Sequence, residues 1–158
     1  MDENLRELML SCLEIEKASV VECLHGYRSA IVILLTPSGR YVRRPEFFNE
    51  GEKIAAYREI VSEAKSLGTT VIVTVNAART KKLEPDEEDG YWWGKLASEQ
   101  ARDCVSITAS GPNMLSCALD LSYDIVDGSV HFDPDPEFKP TEVGMLPDWP
   151  GETSSLAN

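Results

Sequence analysis

The sequence predicts an α+β fold, a mostly antiparallel sheet of five or six strands with two main helices, in the order α-β-β-α-β-(long loop)-β-β-β. Three observations point there. Two stretches, 3–24 and the segment from Asn49 to Gly68, carry apolar residues at helical spacing. Residues 102–110 and 115–124 alternate with period two, and residues 29–36 form a continuous apolar run. Strands and helices in this irregular order suit an antiparallel sheet with helices packed on it.

Each element has its own signal. Over 3–24, Leu5, Leu8, Met9, Cys12, Ile15 and the Val20–Cys23 region recur among Arg6, Glu7, Glu14 and Lys17, and Gly26 closes the helix. Residues 29–36 (SAIVILLT) have the composition of a strand buried on both faces. Pro37-Ser38-Gly39 turns the chain into a shorter strand, 40–44, which Pro45 ends. Asn49 can cap the second helix with Glu52 at its third position, a variant capping box. Ile54, Tyr57, Val61 and Ala64 form its stripe, Ile60 and Leu67 flank it, and Gly68 stops it. Residues 69–77 then read as a strand with Val71, Val73 and Val75 on one face. Residues 78–97 form a long connection that turns from basic (Arg79, Lys81, Lys82) through acidic to aromatic (Tyr91, Trp92, Trp93), with a short helical turn around 97–101. Strand 102–110 directs Val105, Ile107 and Ala109 inward; strand 115–124 directs Leu115, Cys117, Leu119, Leu121 and Tyr123 inward. Gly111-Pro112-Asn113 turns between them, and Asp127-Gly128 leads into a last strand at 129–132.

A chain of 158 residues with 42% hydrophobic content fits one domain, expected over 1–132. Residues 133–158 hold five of the nine prolines and no periodicity, the pattern of a disordered or surface-wrapping acidic tail. The net charge of −12 is concentrated: the run 84–89 (EPDEED) carries five acids, and 133–158 carries six against Lys139. Without them 16 acids face 14 bases, so the folded body is nearly neutral and the excess charge serves solubility. The start, MDENLRELML, has no signal-peptide pattern, and the apolar run 30–35 is too short to cross a bilayer. A cytoplasmic location without membrane contact is the expectation. Cys12, Cys23, Cys104 and Cys117 form no C-x-x-C pair and read as buried thiols without disulfides.

Chemistry-bearing motifs are sparse. His25 and His131 stand in no Asp/Cys/His cluster at ligand spacing, so neither a metal nor a cofactor is expected. The chain has no G-x-S-x-G, P-loop or G-x-G-x-x-G, and no residue is assigned a catalytic role. Arg40, Arg43 and Arg44 could converge with Arg79, Lys81 and Lys82, but EPDEED competes for the same cations, and nucleic acid is not the expected partner.

Two residue sets stand out. Alternation places Cys104, Ser106, Thr108 and Ser110 beside Ser116, Ala118, Asp120 and Ser122 on the face away from the core, joined by Thr70, Ile72, Thr74 and Asn76 if registers agree. Small uncharged residues in such number permit close approach of another sheet, a helix or the tail, which makes Ser106, Thr108, Ser116, Ala118 and Ser122 a candidate interface. An ordinary solvated face is the alternative, and a ligand platform a third. The second set is Asn76, Arg79, Trp92, Trp93, Glu99 and Arg102. Either the tryptophans close over the core and Glu99 pairs locally with Arg102, or these residues surround a polar pocket or partner contact under the 78–97 loop.

The segments 30–40 (AIVILLTPSGR), 68–78 (GTTVIVTVNAA) and 98–132, which opens S-E-Q-A-R, resemble small uncharacterised bacterial and phage-encoded proteins that share an S-E-x-x-R stretch before their late strands. About half of the chain is covered. The E-A-W that often follows the third strand in those proteins is replaced here by Asn76-Ala77-Ala78. The resemblance implies no activity and directs attention to Glu99 and Arg102.

Taken together, these features favour a non-enzymatic interaction or assembly module, expected to pair with itself as a homodimer or with another protein. A small enzyme or ligand-binding domain with a polar pocket beneath residues 78–97 is the alternative.

Overall fold

Helix α1 (Glu3–Glu22) begins where the Asp2 side chain accepts the Asn4 N–H at 2.8 Å. The computed structural model of the chain describes residues 2–24, 29–80, 102–141, 146, 148 and 149, and for 77–80 the backbone alone. Gly26 and the proposed turn near 97–101 lie outside the described residues. The buried stripe of α1 is Leu5, Met9, Cys12, Leu13, Glu16 and Val20. Ile15, expected inward, is 67% exposed, because the stripe runs through Leu13 and Glu16 and leaves position 15 on the solvent side.

Strand β1 (Ile31–Thr36) turns through Pro37 and Ser38 into β2 (Gly39–Arg43), with Thr36 Oγ1 donating to the Gly39 carbonyl at 2.9 Å. Helix α2 (Glu50–Ser66) starts at Asn49, whose side chain accepts the Glu52 N–H at 2.8 Å. Glu52 reaches back one residue further than in a standard capping box and accepts from the Phe48 N–H at 2.8 Å. At the other end Thr69 N–H donates to the Ala64 carbonyl and Gly68 N–H to that of Lys65, a Schellman closure. Tyr57, Ile60, Val61 and Ala64 are buried, while Ile54 stays outside the stripe and exposed.

Strand β3 (Val71–Thr80) runs three residues beyond its expected end and pairs from Ile72 to Thr80 with β4 (Arg102–Ser110), so the intervening connection starts after Thr80. Strand β5 (Cys117–Val126) follows, and Asp127-Gly128, both with positive φ, turn it into β6 (Ser129–Phe132). Leu115 precedes β5 and is 90% exposed, a correction to its inward assignment.

A seventh strand, β7 (Glu137–Pro140), comes from the Pro-rich segment in which the sequence shows no periodicity. It pairs with the β5 edge that β6 also uses. Between the pairs Tyr123–Phe132 and Asp120–Glu137, three steps along β5 match five on the return path, so residues 133–136 form a bulge. The sheet is antiparallel throughout, in the order β2-β1-β3-β4-β5-β6, with β7 beside β5.

The two helices lie on opposite faces. Helix α1 packs on Ile33, Val73, Val75, Val105, Ile107, Leu119 and Leu121. Helix α2 packs with Val32, Leu34 and Ile72 on the other face, where Leu146 and Trp149 complete a second core. The Trp149 Nε1–H donates to the Ser110 carbonyl at 3.3 Å. Among the described residues no helix is long and apolar enough to cross a membrane.

Trp149 is 6% exposed although it lies nine residues past β7. Trp149→Ala should therefore lower the unfolding free energy by about 3 kcal/mol, within the usual cost of emptying a buried aromatic site. Urea unfolding measures this; a change below about 0.5 kcal/mol, the scale of a surface substitution, would mean that the ring adds no core.

Candidate functional site

Registers across β3, β4 and β5 put the small residues of the second face in rows. Thr74, Thr108 and Ala118 are level, as are Asn76, Ser106 and Asp120, and Cys104 is level with Ser122. Part of this face lies within the second core: Thr74 is fully buried and Ser110 is 2% exposed beside Trp149. Ala118 is also buried, whereas Ser106, Thr108 and Ser122 keep partial exposure. Ser116 sits one residue ahead of β5, and its carbonyl accepts the Thr141 N–H at 3.1 Å.

The polar side chains in the rows are engaged mainly with one another. Tyr57 donates its hydroxyl to Asn76 Oδ1 at 3.4 Å, and the Thr74 and Thr108 hydroxyls bond to each other. Ser106 Oγ donates to Asp120 Oδ1 at 2.6 Å, and Lys139 Nζ holds Asp120 Oδ2 at 2.7 Å. Ser106 therefore gives its proton to a carboxylate already neutralised by Lys139, which is not the arrangement of an activated nucleophile. Asn76 Nδ2 is the one buried side-chain donor in these rows without a hydrogen-bond partner. Burial and the neighbouring Asp120 push the Cys104 thiol up to about 11, so it stays protonated and unreactive at neutral pH. Burial also raises Cys12 and Cys117, whereas Cys23, expected to be buried, is exposed at the C-cap of α1.

Arg102 is a structural clamp. It donates to Asp124 at 2.8 and 3.3 Å and to Asp133 at 2.9 and 3.0 Å, tying β4 to β5 and to the start of the bulge. These bonds raise the guanidinium pKa further and hold the Asp133 carboxyl below its usual range. Asn76 and Arg102 share the second face but stand four rungs apart on the β3–β4 ladder. Trp92, Trp93, Glu99 and the side chain of Arg79 lie outside the described residues.

Of the basic residues that could converge, Lys81 and Lys82 lie outside the described residues, and Arg40 and Arg79 stand far apart on the sheet. Arg40 is level with Val71, and eight residues of β3, about 26 Å, separate that row from Arg79. Arg43 turns to the α2 side, where its Nε donates to Glu63 at 2.6 Å.

A different site opens at the end of the sheet where the β1–β2 and β4–β5 turns meet the first turns of α1. It is a groove of about 1100 Å³, at the large end of ligand-sized cavities. Leu8, Leu35, Val71, Met114 and Phe138 are partly buried residues of the first core that line it, so the groove is a place where that core stays open to solvent. Leu115 forms an exposed apolar rim, and Arg40, Asn4, Asn113 and Ser116 supply polar groups. Gly111 holds the β4–β5 turn in place by close approach: a Cβ there would stand 2.1 Å from the Thr70 carbonyl oxygen. Sequence alternation missed this site because its residues come from five separate segments. The one available signal was Leu115, a large apolar residue beside a turn.

The clamp has a pH signature. The folded pKa of Asp133 is depressed, so its contribution to stability is present above the unfolded value, about 4, and disappears as pH falls through the lower folded value. Asp133→Asn should destabilise the protein at about pH 7, and the gap to wild type should narrow toward about pH 2. Urea unfolding at both pH values tests this; a gap independent of pH would mean that charge plays no part.

Among the described residues no group of three His, Cys, Asp or Glu side chains could hold a metal ion. No protein-family model, curated protein or solved structure matches the chain.

Proposed function

We infer that the chain is a non-enzymatic interaction module whose working surface is the groove between α1 and the sheet end, and whose partner is another polypeptide. The observation that carries this is the open first core: Leu8, Leu35, Val71, Met114 and Phe138 line a groove of about 1100 Å³ instead of being closed over. Apolar surface left in contact with water costs about 25 cal/mol per Å², and contiguous patches of it mark interaction sites. The polar clusters elsewhere support a binding role, since Lys139 neutralises Asp120 in the Ser106 row and the Arg102 guanidinium is committed to Asp124 and Asp133. The small-residue face is the less favoured surface for self-association, because α2, Leu146 and Trp149 already occupy its β1–β3 side.

Leu115→Asp separates binding from folding. Leu115 is 90% exposed, so the substitution should change stability by no more than about 0.5 kcal/mol while placing a charge on the groove rim. The native protein should bind the apolar dye 1-anilinonaphthalene-8-sulfonate at a single saturable site, and the variant should bind it much more weakly. A native protein that leaves the dye dark would remove the groove from consideration. A stable dimer that hides the dye site would instead make a second copy of the chain the polypeptide that fills the groove.

A further inference from the structure

The groove crosses the sheet from one end of its strand order to the other. Its lining runs from Arg40 on β2, past Leu35 on β1 and Val71 on β3, to Met114 and Cys117 at the β4–β5 turn and Phe138 on β7. Five interstrand steps at about 4.8 Å make this path about 24 Å long. An extended peptide rises about 3.3 Å per residue, so about seven residues span it.

Chemistry along the path is graded. At the β2 end stands Arg40, an exposed guanidinium with no carboxylate partner among the described residues. At the β7 end Arg6 is already placed over the Phe138 ring, 4.5 Å from its centroid. The carboxylate on the lining, Asp2, is engaged as the cap of α1. Between the ends the floor is aliphatic, and the side chains of Asn4, Asn113 and Ser116 make no hydrogen bond to other described residues. An amide side chain both donates and accepts, as a peptide backbone requires at every residue. A hydrocarbon chain in the same place would desolvate those groups without compensation.

We propose that the groove binds an extended peptide segment of about seven residues, apolar along its length, with a carboxylate at the end that meets Arg40. This rests on the interaction-module reading and adds the class, conformation and polarity of the partner. Alternate side chains of the segment enter the aliphatic floor, its backbone is met by the amide rim, and its acidic end forms a charge-assisted pair with the guanidinium.

The test pans a random heptapeptide phage library against the full-length protein and against its Arg40→Glu variant. Arg40 is an exposed residue on an edge strand, so the variant should fold. Wild type should enrich apolar peptides with Asp or Glu near one end. The variant should enrich Lys or Arg at that position. A synthetic wild-type winner, followed by fluorescence polarisation, should lose roughly tenfold in affinity on Arg40→Glu. Winners bound equally by wild type and Arg40→Glu but lost on Leu115→Asp would overturn the acidic end and leave the groove as the site. Winners insensitive to both substitutions would overturn the interaction reading as well. Binding of decanoate with no peptide enriched would overturn the peptide in favour of an alkyl carboxylate.

Discussion

Two-sided burial of the central strands is the constraint on which the rest of the structure depends. In β1, Val32 and Leu34 point one way and Ile33 the other, and all three are buried. In β3, Ile72 and Val73 repeat the arrangement with no exposure at all. A sheet whose middle strands are apolar on both faces needs a cover on each, because leaving either face open would expose several large aliphatic side chains. Helix α1 supplies one cover and α2 the other, and α2 reaches its place because it connects β2 to β3 across the face that Val32 and Leu34 present. The second cover is narrower than the sheet. Where it ends, the composition changes to Ser, Thr, Ala and Asn, and Trp149 closes over Ser110.

The same logic explains why the first core opens into a groove. The α1 helix crosses the sheet mainly at β4, and its first turns share the groove with the β1–β2 and β4–β5 turns. The contact of Gly111 with the Thr70 carbonyl draws the β4–β5 turn against the start of β3, which leaves Met114 and Leu115 at the mouth of the gap. The polar rows on the other face have a different energetic character. Lys139 offsets Asp120, Ser106 bonds to it, and the two threonine hydroxyls satisfy each other. Hydrogen bonds that link neighbouring strands in this way specify register, with Asn76 Nδ2 the donor in these rows that they leave unmatched.

Much of this was legible in sequence, and the failures have physical causes. Strands 102–110 and 129–132 were readable to the residue because period-two alternation is strict and a turn signal stands at their ends. The apolar run at 29–36 already implied a strand covered on both sides, yet periodicity within a helix does not say which face of a sheet the helix will meet. Ile15 and Ile54 misled because an apolar residue near a helical stripe counts toward it whether or not a neighbour lies within reach. Strand β7 was hidden by Pro136 and Pro140, which an edge strand tolerates at its boundary even though they break every sequence signal for one. For Arg102, alternation across a hairpin could have named Asp124. Asp133 depends on the bulge, whose offset no local pattern encodes.

Period two also sorts the arginines of β2, and with them the charge of the groove. Strand β2 is an edge strand, and cations there discourage pairing with a second chain. That role alone would be indifferent to which face each side chain takes. The faces are not equivalent here: Arg43 falls on the α2 side with Tyr41, level with Val32, and Glu63 neutralises it. Arg40 falls on the α1 side, level with Leu35 and Val71, where it forms no ion pair with another described residue and the lining carboxylate, Asp2, is engaged as the cap of α1. A guanidinium in water is inexpensive to leave unpaired, but one at the mouth of an apolar groove sees a lower effective dielectric, so any carboxylate that enters gains more there than on open surface. The sheet's alternation therefore separates one structural arginine from one uncommitted arginine only three residues away, and the uncommitted one gives the groove a direction.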